Sequence, residues 1–177
     1  MITLFYKYEL YGYKNKFYLI VEMGQEIERK FLINKEKWES IQKPNGEIVR
    51  QGYLLTDPKK TIRVRQTDRK ATLTIKGLSV VATRSEFEYE IPKEDAEQLF
   101  HEFSIATLTK IRYKILFRDK IWEIDEFQGE NKGLIIAEIE LISEDELFSI
   151  PEWIEKEVTG DKRYYNSYLS EHPFLKW

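Results

Sequence analysis

Glu26, Glu28 and Lys30 stand at alternate positions in a stretch, Gln25 to Ile33, that otherwise reads as a β-strand. Alternate residues of a strand share a face, with roughly 7 Å between successive side chains on it. Two carboxylates and an ammonium therefore point the same way. Such a trio can hold a divalent cation and one end of a polyanion together, because carboxylate oxygens suit hard cations and the ammonium is a point charge for an anion.

The same kind of face recurs downstream. Arg63 and Arg65, then Thr72, Thr74 and Lys76, then Arg84, Glu86 and Glu88 alternate along successive segments. Lys110 and Arg112, Glu123 and Asp125, and Glu138 and Glu140 continue the series. Between them, on the opposite face, fall Ile62, Val64, Leu73, Ile75, Phe87, Tyr89, Ile111, Tyr113, Ile115, Trp122, Ile124, Ile139 and Leu141. An antiparallel sheet with one wet face and one core face would also alternate. Here, however, nearly every strand places Arg, Lys, Glu or Asp in same-face pairs, and eight antiparallel strands suffice to close a barrel. A barrel with the charged face inward needs its apolar exterior covered by helices. Charges buried that way are tolerable only if paired with each other, a metal or a ligand. A tunnel holding both signs suits a polyphosphate with its cations.

The elements that would position these residues are legible. Strands are expected at about 25–33, 47–56, 61–67, 70–77, 83–91, 107–118, 120–128 and 134–143, with turns at Pro44-Asn45-Gly46, Asp57-Pro58, Asp68-Arg69, Arg118-Asp119 and Gly129 to Gly133. Asn34 opens a short helix over Lys35 to Lys43, and Lys93 to Phe103 places Ala96, Leu99, Phe100 and Phe103 on one helical face. In the tail, Ser143 with Glu146 resembles a capping box, and Asp161 to Ser170 forms a last helix. The fold class is thus mainly β with α: an eight-stranded antiparallel barrel, charged within, apolar outside and covered by helices. Phe31, Phe87, Tyr89 and Trp122 are expected in the outer packing, with Arg29 and Glu90 at the surface.

The 177 residues fit a single domain. A net charge of −3 suggests neither nucleic acid nor an anionic membrane as partner. The absence of cysteine removes disulfides, thiolate nucleophiles and cysteine–metal sites. His101 and His172 lie in no cluster with metal-ligand spacing, so chemistry falls to carboxylates, Lys, Arg and Tyr, with or without a metal. Residues 1–22 are aromatic-rich but broken by Lys7, Glu9, Lys14 and Lys16, which leaves no run long enough for a signal or a span. A cytoplasmic chain is the expectation. Met23 reads as the start of the domain over 23–177, with 1–22 an extension; an added strand or hairpin is the alternative.

Over residues 24 to 170 the ordered motifs resemble the CYTH superfamily of triphosphate tunnel metalloenzymes. They are Glu26-x-Glu28-x-Lys30, Arg50-Gln51-Gly52-Tyr53-Leu54, Arg63-x-Arg65, Thr74-x-Lys76, Arg84-x-Glu86-x-Glu88, Lys110-x-Arg112-Tyr113, Glu123-x-Asp125, Glu138-x-Glu140, Glu157-Val158-Thr159 and Asp161 to Tyr164. A single E-x-E-x-K is common by chance; the ordered series is not. The resemblance is strongest to short bacterial members that hydrolyse inorganic tripolyphosphate. It implies that Lys30, Arg63, Arg65, Lys76, Arg84, Lys110 and Arg112 bind phosphate oxygens. Glu26, Glu28, Glu138 and Glu140 would hold one or two Mg²⁺ or Mn²⁺ ions, with Glu86, Glu88, Glu123 and Asp125 lining the same site against metal or substrate. Lys30, Glu140 and Tyr53 become the candidate catalytic groups. For Tyr53, simple strand packing is an equal alternative. Nucleoside or thiamine triphosphate hydrolysis, adenylyl cyclisation and non-catalytic polyphosphate or nucleotide binding stay open as alternatives on the same barrel, as does a homodimer.

Overall fold

The computed structural model describes residues 10–13, 16–19, 25–57, 59–78 and 83–177. Among these residues eleven strands are present: β1 (Leu10–Tyr13), β2 (Lys16–Leu19), β3 (Gln25–Ile33), β4 (Glu47–Leu55), β5 (Thr61–Gln66), β6 (Ala71–Lys76), β7 (Thr83–Ile91), β8 (Ala106–Phe117), β9 (Lys120–Phe127), β10 (Ile135–Leu141) and β11 (Ile154–Glu157). The helices are α1 (Lys35–Ser40), α2 (Lys93–Glu102) and α3 (Asn166–Glu171). β1 and β2 form a hairpin of their own. The expectation that the domain starts at Met23 falls outside the described residues. Among those described, no helix is long and apolar enough to cross a membrane.

The main sheet is antiparallel, in the order β10-β9-β8-β4-β5-β6-β7-β3-β11, and β3 also pairs with β10. Eight strands therefore form a circuit through β3, which meets β10 over Ile27–Leu32 and β7 over Gln25–Ile27. Among the described residues the seam with β7 is three residue pairs long; farther along, the edge of β3 is taken by β11. The eight expected strands are the eight of the circuit. β11 is additional to them: its four residues, Ile-Glu-Lys-Glu, are too short and too charged to announce a strand, and the free edge of β3 recruits them.

The outer face is apolar and covered in two places. Phe31, Ile33, Trp122, Ile124, Ala137, Ile139 and Leu141 pack with Trp38 of α1 and with Trp153. Asn34 caps α1, accepting a hydrogen bond from the Lys37 amide at 3.0 Å, and fully buried Trp38 anchors the helix. Farther round, Ala96 and Phe100 of α2 pack on Val64 and Ala71. Phe87 and Tyr89, expected in this packing, remain 36% and 55% exposed, and on the outer face of β7 it is Ile91 that packs against the α2 cluster. Arg29 is an outer-face residue as expected, bonded to Glu157 and stacked over Phe148 at 5.0 Å.

The tail departs from expectation. Residues 143–146 form no helix; Glu146 turns back to accept from the Ile142 amide at 2.7 Å and pairs with Lys120. Nor does α3 cover the exterior. Leu169 joins Leu108, Phe127, Leu134 and Ile136, and the three strand residues of that group share the inward face with Lys110, Asp125 and Glu138. The charged face thus ends in an apolar floor, closed by α3. Asn131 fixes this closure, donating to the Leu169 carbonyl at 3.1 Å and accepting from the Phe174 amide at 2.8 Å.

Candidate active site

Strand register brings the alternating charges together. Lys30 faces Glu138, Glu28 faces Glu140, Glu123 faces Glu138, and Arg112 faces Asp125. On the other wall, Tyr53 faces Arg63, Gln51 faces Arg65, and Lys76 faces Glu86. Glu26 and Arg84 are partners in backbone register, but their side chains lie outside the described residues. Every other residue expected in the site is on this one inward face.

Across β3, β10, β9 and β8 the groups form a continuous ion-pair network. The Lys30 ammonium donates to both Glu28 and Glu138. Arg112 binds Asp125 through two hydrogen bonds, Nε–Oδ1 at 2.7 Å and Nη2–Oδ2 at 2.6 Å, and reaches Glu138 at 2.7 Å and also Glu123. Lys110, with no solvent exposure, donates to Asp125 Oδ2 at 2.5 Å and to Asn166 Oδ1 at 3.4 Å. Such pairs offset desolvation only because nearly every oxygen and nitrogen has a partner.

The electrostatics follow from this packing. Burial works to lower the Lys30 pKa, but Glu138 and Glu28 outweigh it and hold the ammonium charged. Burial likewise works to raise Glu138, yet Lys30, Lys110 and Arg112 bring it well below the usual carboxylate range. Lys110 goes the other way: burial, then the Arg112 charge, lower it to about 8. Arg65 is lowered to about 10 by burial, then by Arg63 and Arg112.

The wall formed by β4, β5, β6 and β7 is less balanced. Lys76 meets Glu86 at 2.6 Å, while Arg63 lies a loose 3.9 Å from the same carboxylate. Thr74 donates to Glu88 at 3.1 Å, but Glu88 is itself an exposed residue. The buried Arg63 Nε and Thr72 Oγ1 have no hydrogen-bond partner among the described residues. Tyr53 is 2% exposed, set between β5 and β8. Glu140 is exposed, in contrast to Glu138 on the same strand.

The donor set is all oxygen and anionic, which fits Mg²⁺ or Mn²⁺ rather than a softer ion. Among the described residues no three acidic groups are gathered tightly enough to hold an ion. Glu28 and Glu138 instead share the Lys30 ammonium, with Glu140 in register opposite Glu28. Gln51, Thr72 and Asn166, to which the motifs assign no role, share this environment. Alternation already places Gln51 and Thr72 on the inward face; nothing in the sequence marks Asn166, which arrives with α3.

The sequence that builds this circuit of strands matches the CYTH domain family over residues 24–167. The chain belongs to the CYTH family. It is 46% identical over 153 residues to an inorganic triphosphatase of Acetivibrio thermocellus, covering 86% of this chain and 97% of that protein. An inorganic triphosphatase of Nitrosomonas europaea is 36% identical over 156 residues, covering 82% and 96%. A crystal structure of an inorganic triphosphatase superposes with a TM-score of 0.59 at 33% identity, covering 84% of this chain and 95% of that one.

Proposed function

We propose that this protein is a hydrolase that cleaves inorganic tripolyphosphate to pyrophosphate and phosphate with a divalent metal. One observation carries the reading: a buried, inward charged face with unmatched positive groups at Arg65 and at Arg63 Nε. Guanidinium donors left without a carboxylate partner on such a face are a site for a dense anion. The names of the relatives, which share up to 46% of aligned residues, support the same chemistry.

In this reading Lys30, Arg63, Arg65, Lys76, Arg84, Lys110 and Arg112 bind phosphate oxygens, the arginines through their planar forks. Glu26, Glu28, Glu138 and Glu140 hold Mg²⁺ or Mn²⁺, with Glu86, Glu88, Glu123 and Asp125 keeping the cations in place. A metal held by these carboxylates would offset phosphate negative charge and lower the pKa of the attacking water. Water attacks the terminal phosphorus in line, the bond to the bridging oxygen breaks, and pyrophosphate leaves. Glu140, exposed and opposite Glu28, takes the proton. Tyr53 is the other acceptor within the face, and becomes basic only if Arg63 lowers its pKa. We place the enzyme in the cytoplasm, acting on a free phosphate chain.

Phosphate release from tripolyphosphate with added Mg²⁺, and its loss on chelation, tests the reading. Binding of tripolyphosphate without any phosphate release would replace it with a binding module.

A further inference from the structure

Each described basic side chain on the inward wall has a carboxylate as its polar neighbour, with one exception. Lys30 has Glu28 and Glu138, Lys110 and Arg112 have Asp125, and Lys76 and Arg63 have Glu86. Arg65 has the amide of Gln51. Gln51 has no solvent exposure and is directly opposite Arg65 in register. Its amide is assigned with the oxygen toward the guanidinium, since only that orientation pairs acceptor with donors; the oxygen then accepts from Nε at 3.1 Å and Nη2 at 3.2 Å. Among the described residues no carboxylate lies within ion-pair distance of Arg65. Its other cross-strand neighbour, Thr72, is buried with an unpartnered hydroxyl.

We propose that Gln51 is a positioning residue for Arg65, orienting the guanidinium toward a phosphate group without neutralising it. A carboxylate at position 51 would grip the fork more tightly and would cancel the charge the substrate needs. An apolar side chain would leave the charge but release its direction. A neutral acceptor on two of the five N–H bonds does neither, and it leaves the remaining donors for phosphate oxygens. The unpartnered Thr72 hydroxyl lies on the same side, able to donate to the same group. The lowered pKa of Arg65 agrees with a charge that is uncompensated until an anion arrives.

This inference rests on the triphosphatase reading, and the test separates the two. Gln51→Glu and Gln51→Met are made in the natural sequence and in an Arg65→Gln background. The readouts are KM and kcat for tripolyphosphate, calorimetric Kd for tripolyphosphate, and ligand-free Tm. For Gln51→Glu we expect Kd and KM to rise at least about tenfold, equivalent to about 1.4 kcal/mol. The expected change in kcat is below about threefold, because an anchoring contact acts on ground and transition states alike. Its Tm is expected no lower than that of the unaltered protein. Gln51→Met should raise Kd by less than Gln51→Glu does. With Arg65→Gln present, the Gln51→Glu penalty should shrink to about threefold or less, because its target is gone. An unchanged Kd in Gln51→Glu, or the same penalty with and without Arg65, would overturn the positioning role while leaving hydrolysis standing. Binding without hydrolysis by the unaltered protein would overturn the hydrolytic reading alone, and failure to bind tripolyphosphate would remove both.

Discussion

Glu28 and Lys110 show how different two charged residues on one face can be. Glu28 lies beside the Lys30 ammonium and is only partly buried, so its charge is available to a metal once that ammonium shifts. Glu28→Gln keeps volume and hydrogen-bonding capacity but removes that charge. Turnover should fall by at least about 10³-fold, several kcal/mol of transition-state stabilisation, while Tm moves little; near-normal hydrolysis at ordinary Mg²⁺ would reject Glu28 as a metal ligand. Lys110 is fully buried, with a pKa lowered from 10.5 to about 8 by burial and then by Arg112. A polyanion favours the charged form. Binding at about pH 8 should therefore take up protons, seen as calorimetric heats that vary with the buffer, and KM should rise as pH passes about 8. Without ligand the sign reverses: the unfolded lysine keeps its proton to higher pH, so Lys110 contributes stability that grows from about pH 8 to 10.5. The Glu138 pKa is also lowered, but for a carboxyl this favours the charged form, so its contribution is present above the ordinary carboxylate pKa and is lost as pH falls through its lowered folded value. A KM flat with pH between about 7 and 9 would reject the Lys110 assignment.

At the scale of elements, Gly52 joins the site to its cover. It stands between Gln51 and Tyr53 on β4 but faces outward, where α2 packs. A Cβ there would collide with Ser104 Oγ and come within 2.7 Å of Phe100 Cδ1. Gly52→Ala must therefore displace the Ser104 and Phe100 side chains, and should cost about 1–3 kcal/mol, measured as a lower denaturation midpoint at unchanged slope. No loss would mean that Phe100 and Ser104 can yield. Strands are the most legible elements, because alternation sustained over six or more residues matches the period of a strand and of no helix. Short pieces are the least legible. The Ser143–Glu146 pattern satisfies a capping box in sequence, but no apolar helical face follows it, and Glu146 is instead bound to Ile142 and Lys120. For α3 the helix is legible but not its destination, since Leu169 does not state which face of the sheet it will meet.

For the whole molecule, the question is which triphosphate fits. The inward strand face carries its described aromatics, Tyr53 and Phe127, at 2% exposure each, so neither presents an open ring to a base. The cations match a compact chain of phosphates. Tripolyphosphate should therefore exceed ATP in kcat/KM by at least about tenfold, or about 1.4 kcal/mol of differential transition-state binding. Equal efficiency on ATP, or cyclic AMP as a product, would move the activity to nucleotides. The sequence by itself determined which residues share a face, because strand periodicity is a local property of the backbone: Lys30 with Glu28, Arg63 with Arg65, Glu138 with Glu140. It also carried the order of motifs that marks the family. Only the tertiary structure decided which of those charges satisfy each other. Arg112 chooses Asp125 of β9 and Glu138 of β10, Lys30 joins the same Glu138 from the far end of the sequence, Gln51 falls to Arg65, and α3 closes the floor. Those choices depend on register and ring closure, and ring closure is a property of all eight strands at once.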